Sequence, residues 1–186
     1  MQIRPAIRAD LEMFADIDAV VESSSYLHVD RAGEGLDLSL KIETRPLREK
    51  LIHPNRLSDE ALFTYRQITE GIDEGIALVA EHDDIIVASA VGLLRPESST
   101  LHLVDLRVDY DYRRQGLATA MLFQIIQDAR NRQSRAVSAE SLANNLPAHQ
   151  LLLKCSFEFS GIDWRRQSNH DLIKESATML WYVPLD

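Results

Sequence analysis

Apolar residues along the chain follow two periods, and the switch between them marks out the elements. The clearest stretch starts at residue 75. GIALVAEHDDIIVASAVGLLR (75–95) sets two β-branched apolar runs around His82-Asp83-Asp84, a hairpin pattern. STLHLVDLRV (99–108) alternates and reads as a strand. The period then lengthens: Leu117, Met121, Leu122, Ile125, Ile126 and Ala129 form one stripe, which predicts a helix over 116–132. RAVSAESLA (135–143) predicts a strand and NLPAHQLLLK (145–154) a short helix. SFEFSGIDWRR (156–166) and ATMLWYVPL (177–185) predict closing strands. Before residue 75 the pattern is weaker. IRPAI (3–7) reads as a first strand, and Asp10 followed by Leu11, Phe14 and Ala15 on one face predicts a helix over 10–22. SYLHVDR and DLSLKIETR alternate weakly and are strand candidates, but Pro46 and Pro54 interrupt RPLREKLIHPNR, so 23–56 is the least readable segment. Ser58 is a helix N-cap candidate, and Gly71 is the stop. Hairpin first, then strand–helix–strand–helix–strand, predicts a mixed sheet with helices on both faces, in a single domain spanning 1–186.

Composition narrows the function classes. The net charge is −9, with the acidic excess leaning toward the first 75 residues. Clustered positive charge, the footprint of nucleic-acid binding, is missing. Such a chain attracts a cationic small molecule or basic peptide, or is simply soluble. No apolar run has the length of a membrane span. The opening MQIRPAIRAD carries no apolar core, so no secretory leader is expected. The single cysteine, Cys155, allows no internal disulfide and fits a reducing cytoplasm as a small buried thiol. Histidines are scattered without HExxH or CxxC spacing, so no metal is expected.

The segment DYDYRRQGLATAMLF (109–123) carries the chemistry. It lies where a strand hands over to a helix, and the first amides of a helix have no internal partners and carry the positive end of its dipole. Gly116 keeps side-chain atoms off that backbone, and Arg113 and Arg114 add forked donors for phosphate oxygens. The turn suits a diphosphate, yet neither GxxxxGK[ST] nor GxGxxG occurs.

Arg113-x-x-Gly116-x-Ala118 after Leu106-x-Val108 resembles the acetyl-CoA signature of the GNAT superfamily of N-acetyltransferases. Asn145, Ala148, Leu151, Lys154 and Phe157 are similar to a second family segment, and IRPAIRADLEMF to the usual first strand and helix. The tail from Gly161 to Tyr182 resembles streptothricin-acetyltransferase-like members. The resemblance implies an α+β GNAT fold with a mixed, mostly antiparallel sheet of about seven strands. It implies acetyl-CoA as co-substrate, held by backbone at Leu106, Arg107 and Val108, by Arg113, Arg114, Gln115, Gly116, Leu117, Ala118 and Thr119, and by Asn145, Ala148 and Leu152. It further implies that the central strands splay, that the pantetheine arm lies in the gap, and that an N–H near Leu106 polarises the thioester.

The implied reaction is direct acetyl transfer, in a ternary complex, to a primary amine of a small cationic acceptor, a streptothricin-type antibiotic being one instance. A protein N-terminal or lysine acetyltransferase, or an acyl-CoA-binding regulatory module, stays open. An alkyl amine of pKa near 10.4 is neutral in only about one molecule in a thousand at pH 7, so a base is needed. Asp105, Glu140 and His102 are the candidates in that order, each with a dull alternative: a structural hydrogen bond, an arginine partner, a satisfied core histidine. Leu152 stands where many family members have a tyrosine acid, and Ser156 where they have glycine. Either Tyr182, Ser156 or water protonates the leaving sulfur, or a thiol of pKa about 8.5 leaves as the anion. His170 and Asp171 either border the acceptor or form a solvated turn. Trp164 and Trp181 line a pocket or pack, and monomer and homodimer both stay open.

Overall fold

A computed structural model describes residues 1–185. The chain runs β1 (Gln2–Pro5), a 3-10 helix (Arg8–Asp16), β2 (Val21–Glu34), β3 (Asp37–His53), α1 (Asp59–Thr69), β4 (Gly75–His82), β5 (Ile85–Arg95) and β6 (Thr100–Val108). A one-turn 3-10 helix (Tyr110–Tyr112) leads into α2 (Leu117–Asn131), then β7 (Ala136–Leu142), α3 (Leu146–Lys154), β8 (Glu158–Asp163) and β9 (Thr178–Pro184). Seven strands form one sheet in the order β1-β4-β5-β6-β7-β9-β8, antiparallel except for β6 against β7. The result is the α+β architecture expected, a mixed, mostly antiparallel sheet of seven strands. Among the described residues, no helix is long and apolar enough to cross a membrane.

Two apolar layers sandwich the sheet. Met121, Leu122, Ile125 and Ala129 of α2 pack with Leu101, Val137, Met179 and Trp181 on one face. Tyr65 of α1 and Phe14 pack with Val79, Ile86 and Val91 on the other, the two rings meeting edge-on at 4.7 Å. β5 is therefore covered on both sides, which is why its sequence is a continuous apolar run rather than an alternation. The hairpin before it turns through Asp83 and Asp84 at φ 51° and 62°, the left-handed region that short polar side chains tolerate best after glycine. Ser58 caps α1 by accepting from the Ala61 amide at 3.1 Å, and Gly71 ends it at φ 71°.

The structure corrects one expectation and resolves the segment that was hardest to read. The helix expected over 10–22 is a 3-10 helix over Arg8–Asp16, and Asp10 is its third residue rather than its cap. The carboxylate is taken by Arg4, at 2.7 and 2.9 Å, and by the Ile7 amide at 2.8 Å. Beyond Asp16 the chain is drawn out straight, because the Asp18 amide donates to Asp109 Oδ2 at 3.0 Å and the Asp18 carbonyl accepts from the Tyr110 amide at 2.8 Å. The obscure segment 23–56 lies mostly in a separate two-stranded ribbon of 14- and 17-residue strands. Every strand of a two-stranded ribbon is an edge, so Pro46 fits in register with Ser25, beside a bulge at Ser23–Ser25.

Candidate active site

β6 and β7 run side by side for three residues only, Thr100–His102 against Ala136–Ser138. From there β6 follows β5 and β7 follows β9. A bulge drives the separation: Gly92 pairs with Leu103 and Val91 with Asp105, so Val104 is the extra residue that bends β6 away. The segment 18–27 straps the mouth of this fork. Asp18 is tied to Asp109 and Tyr110 just past β6, and the Leu27 amide donates to the Ala143 carbonyl just past β7 at 3.0 Å.

A cavity of about 340 Å³ occupies the fork, lined by β6 from Leu103 to Val108, by Ala139–Ser141 of β7, by Ala19–Glu22 of the strap and by the start of α3. A second cleft, of about 380 Å³, opens at the start of α2. Val108, Arg113, Ala118, Pro147 and Leu151 line both, so the two adjoin.

The arginine-glycine turn sits over that cleft. Gly116 is the residue before α2, at φ 84° and ψ 1°, a conformation that L side chains resist. A Cβ there would meet nothing within 4 Å, so what the glycine guards is open space at the helix end. The amides of Leu117, Ala118 and Thr119 have no acceptor among the described residues; the first helical bond is from Ala120 to the Gly116 carbonyl. Arg114, Gly116, Leu117, Ala118 and Thr119 line the cleft, whereas Gln115 lines neither space. Arg113 folds back: its Nε donates to the Val108 carbonyl at 3.2 Å and its guanidinium lies 5.3 Å from the Tyr110 ring centre, and the residue lines both spaces. On the other wall, Asn145 caps α3 through Oδ1 to the Ala148 amide at 3.2 Å, which leaves its amide NH2 free to donate into the fork. Ala148 and Leu152 line the fork beside it.

Among the base candidates, Asp105 is held hardest. Arg107 grips it through Nε at 2.9 Å and Nη2 at 2.8 Å, and the Tyr65 hydroxyl donates to Oδ2 at 3.0 Å. Arg107 also reaches the Asn55 carbonyl at 3.3 Å, so its side chain serves this buried network and only its backbone is available to the fork. Glu140 meets Arg166, from the loop between β8 and β9, in a partly exposed ion pair. His102 is buried against Ser138 Oγ at 2.9 Å, where burial pulls its imidazole down to about 4, and it does not line the cavity. Of the acid candidates, Tyr182 pairs with Ser138 on the sheet face away from the α3 layer, and Ser156 sits in the left-handed turn after α3 at φ 66°. Neither lines the fork.

The remaining candidates are structural. Asp171 is buried and accepts from the Gln167 amide at 2.9 Å and Ser168 Oγ at 2.7 Å, building the loop that carries Arg166. Burial raises the Cys155 thiol. Trp181 is in the core, donating to His149 Nδ1 at 3.1 Å, and Trp164 lies under Arg31. Sequence reasoning missed Tyr65, Asn55, Glu22 and Arg166. Each meets its partner across 26 or more residues, and no local pattern announces such a contact.

Comparison with known proteins places this geometry. The profile of the Acetyltransferase (GNAT) family matches residues 44–157. Streptothricin acetyltransferase of Escherichia coli is 26% identical over 129 residues, covering 68% of this chain and 74% of that protein. A structure described as streptothricin acetyltransferase from Bacillus anthracis str. Ames, in complex with acetyl coenzyme A, aligns with TM-score 0.79 and 18% identity over 100% of this chain and 97% of its own. Nourseothricin acetyltransferase aligns with TM-score 0.77 and 18% identity over 100% and 98%. The ribosomal-protein-S18-alanine N-acetyltransferase of Escherichia coli aligns with TM-score 0.65 and 17% identity over 100% and 94%.

Proposed function

Since the chain belongs to the acetyltransferase (GNAT) family, whose members use acetyl-CoA, we propose that it transfers the acetyl group directly to a primary amine of a small cationic acceptor of the streptothricin type. The observation that carries the reading is the adjacency of two clefts, one over the bare amides of α2 and the other a chamber walled by carboxylates. Kinship with Escherichia coli streptothricin acetyltransferase supports the acceptor class.

The free amides of Leu117 to Thr119 and the Nη groups of Arg113 take the diphosphate, since a helix start offers aligned donors and a positive dipole end. The fork takes the pantetheine arm, with Asn145 donating from α3. A backbone N–H near Leu106 polarises the thioester carbonyl, where an N–H aimed at the developing oxyanion is most effective. The amine loses its proton to Glu140. Its exposed pair with Arg166 is of the kind worth about 0–1 kcal/mol, so the carboxylate is easily released. Asp105, with three of its lone pairs already taken, supplies fixed negative charge. Nitrogen attacks the acetyl carbon, the C–S bond breaks, and the sulfur leaves as thiolate, as a thiol pKa near cysteine's 8.5 permits, while the second proton on the new amide nitrogen passes to water or to the departing sulfur. Incubation with acetyl-CoA and a panel of antibiotic amines, simple amines and peptides tests the reading. Thiol release with the cationic small amines is expected; release with peptides alone would transfer the chain to the protein acetyltransferases.

A further inference from the structure

The strap brings one charged residue to the wall of the fork, and the transfer step above does not use it. Glu22 lies between the two anchor points of the strap, Asp18 and Leu27, and lines the chamber. Its carboxylate meets Lys50 Nζ from β3 at 3.0 Å, the two side chains being 39% and 54% exposed. Lys50 does not line the chamber. It belongs to a separate cleft on the ribbon, with Arg48 and Lys174, and reaches Glu22 from that side.

The three carboxylates of the chamber thus carry cations of very different permanence. The Asp105–Arg107 pair has side chains 12% and 3% exposed and two parallel bonds. Breaking such a pair leaves a buried charge uncompensated. Glu22–Lys50 is a single contact in water, so a cation in the chamber can take the place of Lys50 at little cost. Lysine suits the role: its ammonium is a point charge on a flexible stem, with none of the geometry that fixes a guanidinium on a carboxylate.

We propose that Glu22 determines acceptor specificity by binding a second, non-reacting cationic nitrogen, for which Lys50 substitutes in the free protein. The proposal rests on the amine-acceptor reading above and narrows it. The acceptor class is a diamine or larger cation with two basic nitrogens, the reacting one at Glu140 and the other at Glu22. A monoamine leaves Lys50 in place and gains nothing from the strap.

The test uses a series of α,ω-diaminoalkanes and the matching monoamines as probes, on the full chain saturated with CoA, with binding read by calorimetry and acetylation read separately with acetyl-CoA. The best diamine should bind about tenfold more tightly than its monoamine, the scale of one charge-assisted hydrogen bond. Glu22→Gln should abolish that preference, and Lys50→Ala should strengthen diamine binding several-fold, with CoA affinity as the check that the site is intact. Equal binding of the two series by the wild type, a preference that survives in Glu22→Gln, or weaker diamine binding in Lys50→Ala would each overturn the assignment. Diamine preference without acetylation of any probe would leave Glu22 in its role and strike the transfer reading instead; acetylation of both series alike would do the opposite.

Discussion

At the level of single residues, Asp105 and Glu140, the two carboxylates considered as the base, differ in what they are free to do. Glu140→Gln should lower kcat at pH 7 by a hundredfold or more, within the ~10²–10⁴ range of general-base catalysis. Raising the pH toward the pKa of the acceptor amine should restore part of it, because an amine already neutral needs no base. Asp105→Asn should act differently. It leaves Arg107 buried without its counter-charge, a loss of the kind that costs ~3–5 kcal/mol, so urea unfolding should report a large fall in stability. A pH-rescued kcat defect in Asp105→Asn, with none in Glu140→Gln, would exchange the two roles. Gly116→Glu should weaken CoA binding at least tenfold while the midpoint of unfolding moves little. The left-handed backbone costs a non-glycine residue only ~1–2 kcal/mol, whereas the new carboxylate enters the open space over the α2 amides. CoA affinity equal to wild type in that variant would remove the turn from the site.

Secondary-structure elements make the site by how they are pinned. α3 is fixed at its start twice: by the Asn145 cap, and by His149, which donates from Nε2 to the Leu142 carbonyl at 2.8 Å and accepts from Trp181. Asn145→Ala should cost ~1 kcal/mol of stability, the usual value of a lost cap, and loosen CoA as well, since the same side chain faces the fork. At the closed end of the fork, His102 links β6 to Ser138 of β7 as a neutral imidazole. Its folded pKa of about 4 lies below the ordinary 6.5, so the unfolded chain takes up the proton first as pH falls. Its contribution is complete above about 6.5 and lost between there and about 4, at most on the order of 3 kcal/mol. Unfolding of His102→Gln and wild type at several pH values should therefore converge toward pH 4; a constant difference would show that the imidazole does not titrate there. Legibility followed the same pinning. α2, β4, β5 and β6 were plain in the sequence because burial on one face imposes a period and burial on both leaves an unbroken apolar run. The ribbon was not, because most of its side chains face water and the proline that seemed to break it costs an edge strand nothing. The expected helix over 10–22 failed because Asp109, ninety-one residues from Asp18, decides where that backbone goes.

For the whole molecule, the fold was readable, and so were the strand, turn and helix starts proposed to hold the donor, because they lie in contiguous stretches, Leu106 to Thr119 and Asn145 to Phe157. The acceptor side was not, because it is assembled from the strap, the loop after β3 and the loop before β9, which meet only in three dimensions. The short partnership of β6 and β7 has one more consequence. Past His102 and Ser138 the sheet has a seam lying open inside the molecule, where main-chain groups have solvent for company. A guest with amides of its own, as pantetheine has, can sew that seam shut. Deuterium uptake along the two lips should then slow when CoA is added, and heat tolerance should climb with the logarithm of its concentration, so occupancy can be followed with no acceptor in hand.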